Sequence, residues 1–308
     1  MKITSCLSRG LALWNEFWFA PRPLLNLALF RVLLCGTMFV LYLSRQSDLT
    51  LFFTDIGILP KSLAFEVMPQ FYRPPWMLAF WPDGFVPWVH GGLLLCLFLG
   101  MIGMGGRVVL WVATYLHLAF IQRNYGVVFG ADQIGGIFLM YLSFARVNDV
   151  VSVKSWIRGA RQRETFFDDK KMSQDLLTSV AYRLIQIQVC AIYAYSGFEK
   201  LKGASWWDGT ALWSVLANPQ FVITDMTWVK HFGLVIPVLS FSTIFFEIYF
   251  PILIWVKKIR PYFLAAGVLF HAGIAVLMAL YGFALVMICP YILWLQPQWI
   301  KTCLSSRR

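Results

Sequence analysis

Lys200 ends a long apolar run, inside the segment Tyr193-Ala-Tyr-Ser-Gly-Phe-Glu-Lys-Leu-Lys-Gly-Ala-Ser-Trp-Trp-Asp-Gly209. An amine at the end of an apolar helix, followed by an aromatic, acidic and glycine-punctuated stretch able to cover it, has the makings of a proton acceptor held at a membrane surface. At about 100° per residue, Tyr182, Gln186, Val189, Tyr193, Ser196, Gly197 and Lys200 fall on one helix face. Gln188, Tyr195 and Glu199 fall on the roughly opposite one. Two polar stripes do not suit a helix facing lipid, so this helix is expected to be central and to line a cavity. Gly197 leaves room beside the amine for a ring or another backbone. A lysine that snorkels outward above ordinary interhelical hydrogen bonds produces the same pattern, and periodicity alone leaves both readings open.

Three further charges lie within apolar spans. Counting at 1.5 Å per residue from the expected inner ends, Arg31 is roughly 12 Å deep, Arg183 about 10 Å and Glu247 about 13 Å. An uncompensated charge at such depth costs at least ~2.5 kcal/mol, so Glu247 is expected to pair with Arg31, Arg183 or both as a structural lock. His90, His117, Arg123 and Asp132 gather toward the outer ends of their spans, and His271 sits near the middle of its own. Within the expected spans no His or carboxylate pair has the i, i+3 or i+4 spacing of a metal site, so no metal is expected. Serine-hydrolase and phosphate-loop patterns are missing as well.

The elements that position these residues follow from composition. Hydrophobic residues make up 59% of the 308-residue chain, charged residues 13% and aromatics 17%, far more apolar than a soluble domain. The expected fold is all-α, a polytopic integral membrane helical bundle with interfacial helices. About eight transmembrane spans are read, at approximately 24–44, 84–104, 107–122, 132–146, 176–200, 234–256, 261–281 and 283–300. With both termini cytoplasmic, inner segments carry seventeen of the 26 basic residues and outer segments seven, leaving Arg31 and Arg183 within spans. That asymmetry is the positive-inside pattern. It places the chain in a membrane, read as a bacterial inner membrane, with Lys200 on the outer side. The net charge of +11 thus reports topology; the basic residues cap spans without forming a nucleic-acid-binding patch.

Residues 1–22 read as an amphipathic interfacial helix and not as a cleaved signal, because Asn15, Glu16 and four aromatics interrupt the apolar stretch. One transmembrane domain is expected over 23–300, divided by a charged inner loop or surface helix at 147–175 and followed by a cytoplasmic tail at 301–308. The six cysteines form no CxxC and lie outside the expected outer loops, which argues against disulfides and zinc. The outer segments 45–83 and 201–233 are rich in Trp, Phe, Pro and Gly, as re-entrant or interfacial structure would be.

Several motifs recur in an order that resembles the transmembrane core of vitamin K-dependent gamma-carboxylase and the bacterial proteins sharing its horizontally transferred transmembrane (HTTM) domain. They are Phe30-Arg31, the run from Phe52 to Pro60 (Phe-Phe-Thr-Asp-Ile-Gly-Ile-Leu-Pro), the glycine-rich turn from Leu97 to Arg107, and Phe270-His271. The most specific is Gly197-Phe198-Glu199-Lys200-Leu201 followed by Trp206-Trp207-Asp208-Gly209. It resembles the carboxylase's Gly-x-Lys-Lys-Leu run and the Trp-x-Glu-Gly element at nearly the same distance beyond it. The likeness spans about residues 24–295, as in a short bacterial-type member.

The resemblance implies a reaction. A lysine matching Lys200 deprotonates a reduced naphthoquinone (vitamin K-like or menaquinol), oxygen addition makes a strong base, and that base removes a γ-proton from a peptidyl glutamate. The carbanion then captures carbon dioxide. A phenol-like hydroxyl near pKa 10 matches lysine's reference value of about 10.4, and burial generally favours the neutral amine. Lys200 is then the base, Trp206, Asp208 and Gly209 form a cover, and Tyr193, Gly197, Asp132, Arg123 and His271 line the site. This chain departs from the pattern in three ways. Glu199 replaces the first lysine of the pair, Asp132 falls near an important histidine, and the large luminal portion that grips the substrate is absent. Two classes of function follow. One is a carboxylase (lyase-type) or quinol-dependent oxygenase acting on a secreted peptide. The other is a non-catalytic membrane protein serving the maturation, export or immunity of such a peptide through a partner protein.

Overall fold

The computed structural model describes residues 2–67, 82–162, 166–218 and 226–305. The charges expected at Arg73, Arg163, Glu164, Arg307 and Arg308 lie outside the described residues, as do parts of both outer segments. Among the described residues the chain is helical throughout, its one β-type contact being an isolated antiparallel bridge between Pro23 and Met172. It forms two compact units, residues 1–184 with 295–308, and residues 185–294.

The first unit holds α1 (Lys2–Phe19), α2 (Leu24–Ser44), α3 (Leu49–Phe53), α4 (Lys61–Val67), α5 (Val86–Ile102), α6 (Gly106–Arg123), α7 (Gly130–Ser143), α8 (Val153–Gln162) and the start of α9 (Leu176–Leu201). The second holds the rest of α9, α10 (Ala204–Trp207), α11 (Ala211–Leu216), α12 (Val235–Leu253), α13 (Arg260–Met278), α14 (Tyr281–Ile288) and a 3-10 segment Cys289–Trp294. Helix α15 (Pro297–Ser305) returns to the first unit.

Five helices are long and apolar enough to cross a membrane: α2, α5 with its preceding turn, α9, α12 and α13. A sixth is reached if Tyr281–Trp294 and Pro297–Cys303 count as one span broken by a 116° bend. This fits an integral membrane protein; the expected count of about eight is not confirmed. The expected third and fourth spans are present as α6 and α7. Helix α7, with 14 residues, reaches only about 21 Å against a hydrocarbon core of about 30 Å. Helix α6 carries Arg107 and Arg123 at its two ends, with His117 and Gln122 between them, which lowers its mean hydropathy.

Helix α2 is the core of the first unit, with Leu25, Leu27, Ala28, Phe30, Leu34, Cys35 and Met38 fully buried. The start of α2 is clipped to the approach to α9 by Leu24 N–H donating to Lys171 O (3.0 Å) and Ser173 N–H donating to Arg22 O (2.8 Å). The reversal between α5 and α6 needs glycine: Gly103, Gly105 and Gly106 have φ of +76°, +75° and +61°, a region that excludes most side chains. The expected inner surface helix within 147–175 is α8, capped by reciprocal bonds between Ser152 and Ser155 (2.9 and 3.0 Å).

Helix α9 begins on a charged cap. Asp175 Oδ2 accepts from Thr178 N–H (3.0 Å) and Thr178 Oγ1–H (2.6 Å), and the same carboxylate pairs with Arg107. Burial opposes its ionisation, but the Thr178 bonds and the arginine outweigh that and hold the carboxyl below its ordinary value. A depressed folded pKa gives stability that is present above the unfolded value, near 3.9, and is lost as pH falls through the folded one. Asp175→Asn should therefore lower stability by about 1 kcal/mol at neutral pH. The gap from wild type should close as pH falls below about 4, as read by thermal unfolding.

Candidate functional site

The polar face expected on α9 points into the second unit and finds partners there. Gln186 Nε2–H donates to Leu293 O (3.1 Å). Tyr193 Oη meets His271 Nε2 at 2.6 Å and also bonds to Tyr291 Oη. Ser196 and Lys200, one and two turns further along, both reach Glu247 of α12. The opposite stripe is not buried, contrary to expectation: Tyr195 is 70% exposed, and Glu199 turns outward to pair with Lys202 at 2.6 Å. One polar face of α9 therefore lines the unit and the other leaves it. The outward turn of Glu199 also removes it from Lys200, as the roughly 100° step between adjacent helical residues requires.

Lys200 Nζ lies 2.8 Å from Glu247 Oε2 and 3.0 Å from Oε1, and donates to Ser196 Oγ at 2.7 Å. Ser196 Oγ–H in turn donates to Oε1 at 3.1 Å. The side chains are 21% and 5% exposed, so the pair is largely withdrawn from water. Gly197 makes this approach possible. A Cβ there would stand 2.9 Å from Ile248 Cγ1, 3.2 Å from Ile248 N and 3.3 Å from Glu247 C, which leaves no room for one. The expectation that Gly197 admits another backbone beside the amine is met by α12.

The pair is not at the rim of its unit. Lys200 is the penultimate residue of α9, whereas Glu247 lies twelve residues into α12, roughly 18 Å along its axis. The first turns of α12 are covered instead by the segment that follows Lys200. The Trp206 ring centroid is 5.3 Å from Lys200 Nζ, within cation–π range. Gly209, at φ +71°, packs against Pro237 and Phe241, and its carbonyl accepts from Ser240 Oγ–H at 3.4 Å. Leu216, Val229 and Ile236 form a small core beyond it, with Leu212, Met226 and Leu277 packed against them. Of the three residues assigned to the cover, Trp206 touches the amine. Gly209 anchors the cover to α12, and Asp208 is exposed at the end of α10.

Next along α9, Tyr193 lies against Phe246 and Phe250, with ring centroids 5.2 and 4.4 Å away. Its hydroxyl joins α13 through His271 and the 3-10 segment through Tyr291. Tyr291 is a member of this cluster that sequence spacing did not single out. The available signal was Gly267, four residues before His271, where a Cβ would overlap the Tyr291 hydroxyl.

The expected lock between Glu247 and Arg31 or Arg183 is corrected by these contacts. Glu247 is paired with Lys200, and each of the two arginines has a neutral acceptor within its own unit. Arg31, fully buried, donates to Asn148 Oδ1 at 3.1 Å and to Val151 O. Arg183 donates to Phe17 O at 2.8 Å and lies over the Phe17 ring at 4.4 Å. Equal depth along separate helices does not fix which faces meet, and a guanidinium with several donors can bond to neutral carbonyl oxygens as well as to a carboxylate.

Arg123 and Asp132 belong to polar networks of the first unit. Asp132 holds Arg45 through two contacts of 2.9 Å and accepts from Phe129 N–H at the start of α7. His117 bridges Tyr42 Oη (2.7 Å) and Asp132 O (2.9 Å), and His90 Nε2 bonds to Tyr42 O (2.8 Å). Arg123 donates to Leu59 O (2.9 Å) and Asp55 (3.2 Å), and Asn124 to Phe52 O (2.7 Å). The motif from Phe52 to Pro60 is thereby pinned to the end of α6.

The fold is thus that of a helical membrane protein with a buried amine–carboxylate pair in its second unit. The chain matches no protein-family model, no curated protein and no solved structure.

Proposed function

We propose that this is a membrane-embedded protein of the vitamin K-dependent gamma-carboxylase-like (HTTM) kind, in which Lys200 and Glu247 together take a proton from a reduced naphthoquinone to modify a secreted peptide. The observation that carries the reading is the Lys200–Glu247 pair, withdrawn from water and faced by the Trp206 ring. Positive-inside asymmetry supports an inner bacterial membrane, both termini cytoplasmic, and the Lys200 end of α9 toward the outer side.

An ammonium alone is no base, and the carboxylate resolves that difficulty. The Nζ proton passes to Glu247 Oε1 along the 3.0 Å hydrogen bond, freeing the lone pair on nitrogen, which accepts the proton of the bound hydroxyl. The dyad ends with one more proton and one more positive charge, facing the anion it has made. Ser196 holds both partners during the exchange. A bound quinol would supply the acidic hydroxyl and the electrons for oxygen chemistry, and the indole face of Trp206 fits a flat aromatic headgroup.

One observation favours a second reading. The same pair, with Gly197 beside it, fastens α9 to α12, which a non-catalytic partner-binding protein also needs. The test uses wild type and Lys200→Met/Glu247→Leu in lipid nanodiscs with reduced menaquinone or vitamin K under oxygen. Quinol consumption should be seen in the first and be lost by at least a hundredfold in the second. A candidate peptide should gain the mass of one carbon dioxide only with wild type. Equal rates in the two proteins overturn the catalytic reading.

A further inference from the structure

A second chemically distinct place lies in the first unit, where the turn between α5 and α6, the segment 145–149 and the first turns of α8 border a half-open cavity of about 780 Å³. That volume lies in the range of small-ligand sites. Arg107, Arg146, Lys154 and Arg158 line it, against the single carboxylate of Asp149. Two of the four cations are compensated: Arg158 by Asp149 at 3.3 Å, and Arg107 by Asp175. Arg146 only shares Asp175, at 3.7 Å, and its side chain is 68% exposed. Lys154 is exposed and forms no ion pair among the described residues. Among the described residues, four cations against two carboxylates leave two positive charges facing the cavity.

The wall also carries an oriented neutral donor. Arg31 donates to Asn148 Oδ1, which fixes the amide so that Nδ2 is the free end. That Nδ2 lies 3.8 Å from where a Cβ on Gly106 would stand, with nothing nearer, so the glycine leaves this side open. Arg31 itself is buried beneath Gly103, whose missing side chain accommodates the guanidinium. A buried cation thus holds a wall residue in place, which is how a site is preorganised.

We propose that this cavity binds a phosphate monoester, borne by a soluble compound or by a lipid headgroup, with Arg146 and Lys154 as the cations it neutralises and Asn148 as a neutral donor. A phosphate monoester carries about −1.5 to −2 charge at neutral pH, the complement of two uncompensated cations. Guanidinium groups present forked donors to its oxygens, and lysine supplies a mobile point charge.

Two arms distinguish the sources. In phosphatidylcholine nanodiscs, glycerol 1-phosphate is titrated by calorimetry. In nanodiscs containing phosphatidic acid, with no soluble phosphate, thermal stability is compared with the phosphatidylcholine case. The expected result is binding or stabilisation in at least one arm. Arg146→Gln/Lys154→Gln, at two exposed positions where the apo melting temperature should change little because Arg146 only shares Asp175 at 3.7 Å, should weaken it at least tenfold. Lys257→Gln/Lys258→Gln, which removes two cations from the other unit, should leave it intact. No response in either arm, an undiminished response in the Arg146/Lys154 variant, or an equal loss in the Lys257/Lys258 variant overturns the proposal.

Discussion

Lys200→Met should lower the stability of the protein by about 3 kcal/mol, and Lys200→Met/Glu247→Leu should recover all but about 1 kcal/mol of it. The single change leaves Glu247, 5% exposed, with Ser196 as its one remaining hydrogen-bond donor. A carboxylate in that position keeps its desolvation penalty and loses the attraction that offset it. Replacing both partners with apolar side chains of similar length removes penalty and attraction together. Proton uptake from a quinol should not recover, because neither replacement can hold a proton. Unfolding in a fixed detergent or nanodisc gives the first quantity, and quinol oxidation the second. If the single variant melts with wild type, the pair contributes nothing to holding α9 against α12. If the double variant oxidises quinol, the dyad is not the base.

What the sequence makes legible here is what a single helix decides. Tyr193, Ser196, Gly197 and Lys200 share a face because of the helical repeat, and that face does meet partners. Gly197 reads as a point of close approach because only a missing side chain permits one, and α12 occupies the space. What a single helix does not decide is its partner. Depths counted from expected span ends assume helices that begin flush, yet Lys200 at the end of α9 meets Glu247 about 18 Å along α12. That stagger hides the partnership of the two charges and makes Arg31 and Arg183 look like better matches. The expected fourth span, 132–146, is already short in the sequence, and the helix that forms there, α7, has 14 residues. Tyr291 escapes notice because it lies in a 3-10 segment, where the α-helical repeat carries no information.

Enlarging Gly197 to leucine should be as damaging as losing Lys200 on the same face. With Ile248 N 3.2 Å and Glu247 C 3.3 Å from the position of a Cβ, the neighbour is backbone and cannot rotate away. Gly197→Ala needs a displacement of a few tenths of an ångström. Overpacking should outweigh the gain in helix propensity, giving a loss of about 1 kcal/mol. Gly197→Leu adds three further carbons on a face already filled by Ile248, so α9 and α12 must separate and the loss should reach about 3 kcal/mol. Separation also lengthens the contact between Lys200 and Glu247, now 2.8 Å. Quinol oxidation should then fall with side-chain size at position 197, from glycine through alanine to leucine, although the residue carries no chemistry. The two effects are separable in the background Lys200→Met/Glu247→Leu, where Gly197→Leu should still destabilise but has no activity left to remove. A leucine at 197 that leaves melting temperature and turnover unchanged would mean that α12 does not pack against this face of α9, and the pairing of Lys200 with Glu247 would fall with it.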